Sequence, residues 1–243
     1  MCDSCGCEPD SPAITIHSTG GSQTHLDTPK LGKHIQVQRD LLSANNHLAD
    51  HNRATFKAHQ IKAFNLVSSP GSGKTTLLTE TIIRVGVPIT VIEGDQQTTN
   101  DADRIRETGA KVVQVNTGSG CHLDAAMVQE AIKQLQPADH SLCMIENVGN
   151  LVCPALFDLG EEAKIVIISV TEGDDKPEKY PAMFRAAKVC IINKMDLLPH
   201  VNFKVATCKR LARQVNPDLI FFEVSATNGA GMDKWIQWLE KMY

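Results

Sequence analysis

KAFNLVSSPGSGKTTLLTETIIRV, residues 62–85, decides how this chain is read. An apolar run from Ala63 to Val67 leads into Ser68-Ser69-Pro70-Gly71-Ser72-Gly73-Lys74-Thr75-Thr76, and a helical pattern follows. Strand, glycine-rich turn and helix in that order make a phosphate-binding loop. The glycines let backbone N–H groups turn inward around phosphates, and the helix N-terminus adds a field that favours anions. Lys74 is then placed to reach the β- and γ-phosphates and the Thr75 hydroxyl to bind Mg²⁺. Pro70, Gly71, Ser72, Gly73 and Thr76 complete the cradle. One departure stands out: Ser68 occupies the place of the motif's usual first glycine.

The same alternation continues along the chain. PITVIEG, KVVQVN, LCMIEN, KIVIISV, KVCIIN and LIFFEVS are short apolar runs, separated by helical stretches such as LDAAMVQEAIKQL, VNFKVATCKRLARQV and GMDKWIQWLEKMY. Runs of that length, bounded by turns and separated by helices, indicate parallel strands buried on both faces. Residues 61–243 are therefore expected to form an α/β domain, doubly wound on a mostly parallel sheet, with ligands beyond the C-terminal strand ends. Residues 31–60 predict one N-terminal helix whose apolar stripe is Leu41, Leu42, Leu48, Ala49 and Phe56. Residues 1–30 read as a thiol-bearing metal segment and a flexible linker rich in Pro, Ser, Thr and Gly.

Composition narrows the class. The chain has 243 residues, 42% of them hydrophobic, and a net charge of −4, enough for one sizeable core plus an appendage. That charge gives no reason to expect nucleic acid or an anionic membrane as partner. No apolar run approaches the ~20 residues that cross a bilayer. The terminus is acidic and thiol-rich where a secretory signal is basic and then apolar, so a cytoplasmic protein is expected.

The base is named further along. Asn193-Lys194-Met195-Asp196 follows KVCII, and Ser225-Ala226-Thr227 follows LIFFEV. The Asp196 carboxylate can accept both the N1–H and the exocyclic amine of guanine. Adenine would confront it with another acceptor, which is costly when buried. The Lys194 stem is expected to lie over the ring and the Ala226 backbone N–H to meet guanine O6. The ligand is thus GTP or GDP with Mg²⁺. Between these motifs, Glu146-Asn147-Val148-Gly149 has the form of a γ-phosphate sensor, in which Gly149 supplies the N–H. Asp95, in GDQQTTNDADR, reads as a Mg²⁺-side carboxylate in a nucleotide-sensing loop. Gln96 and Gln97 lie nearby, and neither is assigned the role of positioning water.

The cysteines divide into two groups. Cys143 and Cys190 sit inside apolar runs and read as small buried hydrophobes, and Cys208 is given no role. Cys121 and His122 end the loop after KVVQV, and Cys153 follows ENVG in NVGNLVCP. In a parallel sheet both loops open on the edge that carries the phosphate loop. Cys121, His122 and Cys153 therefore make an S/N/S metal site able to take nickel or zinc. The fourth position is left to water, another donor or the same loop of a second subunit. His47 and His51 share a helical face, read as solvated.

The whole set of CxxCGC, SSPGSGKTT, GDQ followed by DA.RI, a Cys-His pair, ENVGNLVCP and NKMD resembles the hydrogenase nickel-incorporation GTPases of the HypB family, SIMIBI-class P-loop proteins. The resemblance implies a GTP hydrolase that helps load Ni²⁺ into [NiFe]-hydrogenase precursors. Lys74, Thr75, Asp95 and Glu146 would form its catalytic group. It also implies a GTP-dependent homodimer, accessory proteins that donate or accept nickel, and the hydrogenase large-subunit precursor as a partner. Cys121, His122 and Cys153 match the family's GTPase-domain metal positions. The competing readings are a urease-type accessory GTPase and a nickel-sequestering protein with a slow GTP switch. Cys2, Cys5 and Cys7 form the terminal Ni²⁺ site. Loss of Met1 would free the Cys2 amine, giving an N/S₃ set that suits square-planar nickel.

Overall fold

The computed structural model describes residues 15–17, 23–25, 31–96 and 99–243, with side chains from residue 39 onward. Cys2, Cys5, Cys7 and Gln97 lie outside the described residues. Strands β1 (Thr15–His17) and β2 (Gln23–His25) form an antiparallel pair inside the span expected to be a linker. Thr15, Ile16 and Thr24 are β-branched and favour extended backbone.

Helix α1 (Leu31–Ala58) precedes the nucleotide-type domain. The chain then runs β3 (Lys62–Ser68), α2 (Lys74–Arg84), β4 (Ile89–Asp95), α3 (Asn100–Arg106), β5 (Lys111–Asn116), α4 (Ala125–Leu135) and β6 (Leu142–Glu146). It continues through β7 (Ala163–Ser169), α5 (Lys176–Lys179), α6 (Pro181–Ala186), β8 (Ala187–Asn193), α7 (Val205–Val215), β9 (Ile220–Glu223) and α8 (Met232–Met242). The helix expected from Val201 begins at Val205, because Met195–His200 forms a 3₁₀ turn containing Pro199, which cannot donate to a regular helix.

Seven strands form one sheet in the order β5-β4-β6-β3-β7-β8-β9, and every neighbouring pair is parallel. The order reverses at β3, which lies between β6 and β7. Three loops therefore open together at one edge: the phosphate loop, the segment after β6 and the segment after β7. Alternate residues of the strands pack on opposite faces. Phe64 and Leu66 join Leu77, Trp235 and Leu239 on one side. Ala63 meets Phe56, Val128 and Ile132 on the other. Val67, Val166 and Ile168 pack with Phe184 and Cys208.

Helix α1 buries part of its expected stripe, Ala49 and Phe56, together with two asparagines in place of its leucines. Asn45, Ala49, Asn52 and Phe56 face inward, whereas Leu41 is exposed and Leu42 and Leu48 are half-buried. The asparagines answer buried backbone groups of the body. Asn45 Oδ1 accepts from the Ala125 N–H (2.9 Å), one of the unpaired donors at the start of α4. Asn45 Nδ2 donates to the Asp158 carbonyl (2.8 Å), and Asn52 Nδ2 to the carbonyls of Ala125 (2.8 Å) and Leu159 (3.1 Å). Gly160, at φ +90°, lets the helix approach so closely that a Cβ there would sit 2.6 Å from the Ala49 carbonyl oxygen. Asn52→Ala leaves two buried carbonyls without this donor and should cost about 1–3 kcal/mol. A urea midpoint lowered with an unchanged denaturant slope would show it.

Candidate functional site

The phosphate loop lies between the end of β3 and the start of α2, at the bottom of a cleft of about 530 Å³. Gly71 and Gly73 both have positive φ, +75° and +87°. Gly73 has a second constraint, since a Cβ would meet Asn193 Nδ2 at 2.7 Å. Ser68, at the position of the missing glycine, is buried and bonds the Ser69 carbonyl through its own hydroxyl (2.9 Å). Gly149 closes the other wall, with its Cβ position 3.0 Å from Pro70. Pro70, Ser72 and Thr76 line the same cleft.

Glu146, at the end of β6, ties the site together. Its Oε1 accepts from Lys74 Nζ and from Thr75 Oγ1, each at 2.7 Å, and the carboxylate is almost fully buried. Its other oxygen, Oε2, is buried with no hydrogen-bond partner among the described residues. Asp95 ends β4 on the same rim, and its carbonyl accepts from the Thr117 N–H (2.9 Å).

The base-side residues are brought together around Asn193. Asn193 Nδ2 donates to the Ser72 carbonyl (3.0 Å), and its Oδ1 accepts from the Ala226 N–H (3.2 Å). One side chain thus clamps the phosphate loop to the loop after β9. The Ala226 N–H expected to meet guanine O6 is engaged by Asn193 in this structure. Lys194, in the left-handed region, reaches the Gly71 carbonyl (2.7 Å). The Ser225 hydroxyl donates to Asp196 Oδ1 (2.5 Å), fixing the orientation of an otherwise exposed carboxylate. Thr227 is exposed in the turn beyond.

On the neighbouring part of the rim the structure assembles a Cys/His/Cys cluster. The donor atoms of Cys121, His122 and Cys153 lie within 4.8 Å of one another. The two sulfurs are 3.1 Å apart, well beyond a disulfide's ~2.05 Å. Cys121 Sγ lies 3.6 Å from His122 Nδ1. Burial lowers the His122 pKa, against the attraction of Asp124, and so favours the neutral imidazole that metals bind. The Phe157 ring lies against the imidazole at a centroid distance of 4.0 Å. The remaining described cysteines differ in kind: burial pushes Cys143 and Cys208 up to about 12 and Cys190 well above its ordinary value. Such thiols are inert. His47 and His51 lie exposed on α1 with ring centroids 6.1 Å apart.

Several residues of the site escaped the sequence reading. Arg104 donates from Nη2 to Thr76 Oγ1 (3.0 Å), and Lys176 from Nζ to Ser69 Oγ (2.8 Å), so two more cations border the phosphate loop. Glu93 is the least visible, because it sits inside the apolar run of β4. It is buried, pairs in register with Glu146, and its Oε2 has no hydrogen-bond partner among the described residues. Desolvation and then repulsion from Glu146 and Asp95 raise its pKa from 4.5 to about 8, against the pull of Lys74.

A parallel doubly wound sheet, a phosphate loop at its reversal point and a base-side clamp define a P-loop nucleotide-binding protein. Residues 62–223 match the family described as CobW/HypB/UreG, nucleotide-binding domain, and the chain belongs to that family. Similar curated proteins include the hydrogenase maturation factor HypB of Escherichia coli K12, 56% identical over 91% of this chain and 77% of its own length. The probable hydrogenase maturation factor HypB of Methanocaldococcus jannaschii is 41% identical over 85% and 95%. Among solved structures, HypB from Helicobacter pylori in complex with nickel has a TM-score of 0.77 at 37% identity, covering 82% of this chain and 94% of that one. HypB from Archaeoglobus fulgidus gives 0.77 at 40% identity, covering 82% and 98%.

The Glu93 environment sets a pH dependence for the protein without nucleotide or Mg²⁺. Between 4.5 and about 8 the folded state holds a proton that the unfolded state has released. Stability from this group is therefore full below 4.5 and is lost as pH rises through about 8. Glu93→Gln should remove that slope and be the more stable form at alkaline pH, by on the order of 2 kcal/mol. Urea unfolding of both forms across the acid-to-alkaline range checks it.

Proposed function

We propose that the chain is a cytoplasmic GTP hydrolase whose nucleotide cycle controls delivery of Ni²⁺ to a [NiFe]-hydrogenase precursor. One observation carries the reading: the segment from Glu146 to Cys153 contributes both to the phosphate site and to the metal cluster. Its relatives' names as hydrogenase maturation factors and the nickel complex of one of them support it. Among the described residues no helix is long and apolar enough to cross a membrane.

Lys74 and the loop N–H groups stabilise charge on the γ-phosphoryl group as water attacks. Glu146 holds Lys74 and Thr75. A phosphate draws Lys74 toward itself, and the loop after β6 is the part that must adjust. The oxygen-rich rim suits Mg²⁺: a buried threonine hydroxyl, Asp95 at the end of β4, and buried carboxylate oxygens of Glu93 and Glu146 with no hydrogen-bond partner among the described residues. Thr75 and Asp95 would hold the ion, which would supply positive charge beside the phosphates. Asp196, held by Ser225, selects guanine, Asn193 and Lys194 brace the base loop, and Gly149 reports the γ-phosphate.

Ni²⁺ is cargo at Cys121, His122 and Cys153, a donor set that also suits Zn²⁺. Val152 and Leu156, 56% and 48% exposed, flank Cys153 with apolar surface. A second copy docked there with GTP bound would supply the missing donor. No described side chain is assigned to position the attacking water, so turnover is slow until a second copy or a partner completes the site. The terminal Cys2, Cys5 and Cys7 set is a second, tethered nickel site.

Nickel transfer to an accessory or precursor protein should proceed with GTP, and fall with GDP or with Lys74→Ala. That substitution should also reduce GTP hydrolysis by ~10²–10³-fold. Equal transfer in all three would instead mark a nickel carrier. Asp196→Asn exchanges a double acceptor for a mixed group. Competition binding should then show GTP affinity falling ~10²-fold or more and xanthosine triphosphate, with a carbonyl in place of the exocyclic amine, being gained.

A further inference from the structure

Asn147 stands between Glu146, which holds Lys74 and Thr75, and Val148-Gly149, which abuts the phosphate loop. It is 1% exposed, and the hydrogen bonds of its amide reach both Val148, which lines the phosphate-loop cleft, and residues beneath the metal cluster. Its Oδ1 accepts from the Leu123 N–H (3.0 Å), the residue directly after His122, and from the Val148 N–H (3.0 Å). Its Nδ2 donates to Asn65 Oδ1 (3.2 Å). Asn65, fully buried on β3, passes the connection on by donating to Glu161 Oε1 (3.1 Å).

The chain of bonds does not end at Glu161. Lys164 Nζ donates both to Glu161 Oε1 (2.5 Å) and to the Phe157 carbonyl (2.9 Å). Phe157 is the residue whose ring lies 4.0 Å from the His122 imidazole. His122 is thus held from two sides by one network. Its following peptide is tied directly to Asn147, and its ring rests on a residue tied to Asn147 through Asn65, Glu161 and Lys164. A buried polar network of this kind has few alternative arrangements, because each displaced member leaves an unsatisfied group. It transmits a movement of the loop after β6 rather than absorbing it.

We infer that Asn147 is the positioning residue through which the nucleotide state sets the geometry of the Cys121/His122/Cys153 site. This deepens the nucleotide-controlled nickel delivery proposed above and rests on it. A phosphate that draws Lys74 from Glu146 shifts the end of β6, and Asn147 carries that shift into Leu123 and so into His122. Gln96, which bonds the Gly120 carbonyl (3.2 Å), and Asn150, which bonds the Cys121 carbonyl (3.3 Å), touch the metal loop only at its exposed or half-buried side.

The test is Ni²⁺ titration of the full-length chain carrying Cys2→Ala, Cys5→Ala and Cys7→Ala, so that only this cluster reports. Affinity is measured with Mg²⁺–GDP and with a non-hydrolysable Mg²⁺–GTP analogue. The parent should show affinities differing by about tenfold or more between the two nucleotides, and linkage requires nickel to shift nucleotide affinity by the same factor. Asn147→Ala should bring both ratios to within about twofold while retaining GDP binding and a cooperative melt. Asn65→Ala, which leaves the loop itself untouched, should reduce the ratio in the same direction and serves if Asn147→Ala does not fold. A merely structural role would weaken nickel binding equally with both nucleotides, and an unchanged ratio in the folded variants overturns the inference. A parent that binds both ligands but shows no ratio overturns it too and leaves hydrolysis standing. A parent that binds no nickel through these residues overturns the metal reading as well.

Discussion

The buried contact of Glu146 with Lys74 and Thr75 is the interaction on which the rest of the site depends. A lysine and a carboxylate taken out of water need each other, and removal of either leaves a charge without compensation. Here the pair joins the start of α2 to the end of β6, and its members are 72 residues apart in sequence. It fixes the phosphate loop to the end of β6. The attachment is reversible in kind, since a phosphate offers Lys74 the same chemistry that Glu146 does. A site held in this way is closed by its own residues and open to exchange.

The sheet makes that contact possible. Because the chain order reverses at β3, the segments after β6 and β7 both flank the phosphate loop, and the segment after β5 lies two strands beyond β6. The phosphate loop occupies the reversal point and Asn193, Asp196 and Ala226 the β8–β9 side. Cys121, His122 and Cys153 come from the loops after β5 and β6. The phosphate loop and the Cys/His/Cys cluster therefore share the loop after β6 and the buried polar groups beneath it. Asn65, Asn147 and Glu161 are costly to bury alone and stable only as a bonded set.

Much of the fold was legible in the sequence because parallel strands buried on both faces are uninterrupted apolar runs. Each of the sheet's seven strands coincides with a run recognised that way, to within a residue or two at either end. The short helices α3, α5 and α6 were not, since they are stabilised by packing rather than by any pattern long enough to show a period. Helix α1 was recognised, and Ala49 and Phe56 of its expected stripe are buried, but the inward-facing Asn45 and Asn52 were not. Its leucines point partly outward because the surface it covers presents backbone N–H and C=O groups, which only Asn45 and Asn52 can answer. Gly71, Gly73, Lys74, Thr75 and Asp196 announce themselves as motifs. Glu93 does not, for it is a carboxylate hidden inside a strand.

The sequence by itself determined the local chemistry: a phosphate loop, an NKMD motif, and two cysteines and a histidine in the loops after strands. Each depends on neighbours within a few residues, so spacing is enough to reveal it. Only the tertiary structure decided that Glu146 takes Lys74 and Thr75, that Asn193 clamps two loops, and that Cys121, His122 and Cys153 converge within 4.8 Å. Those pairings join residues far apart along the chain, and which strands lie side by side is settled by the order of the whole sheet. The phosphate loop with which the chain is first read is thus half of a site, whose other half is supplied by the end of β6.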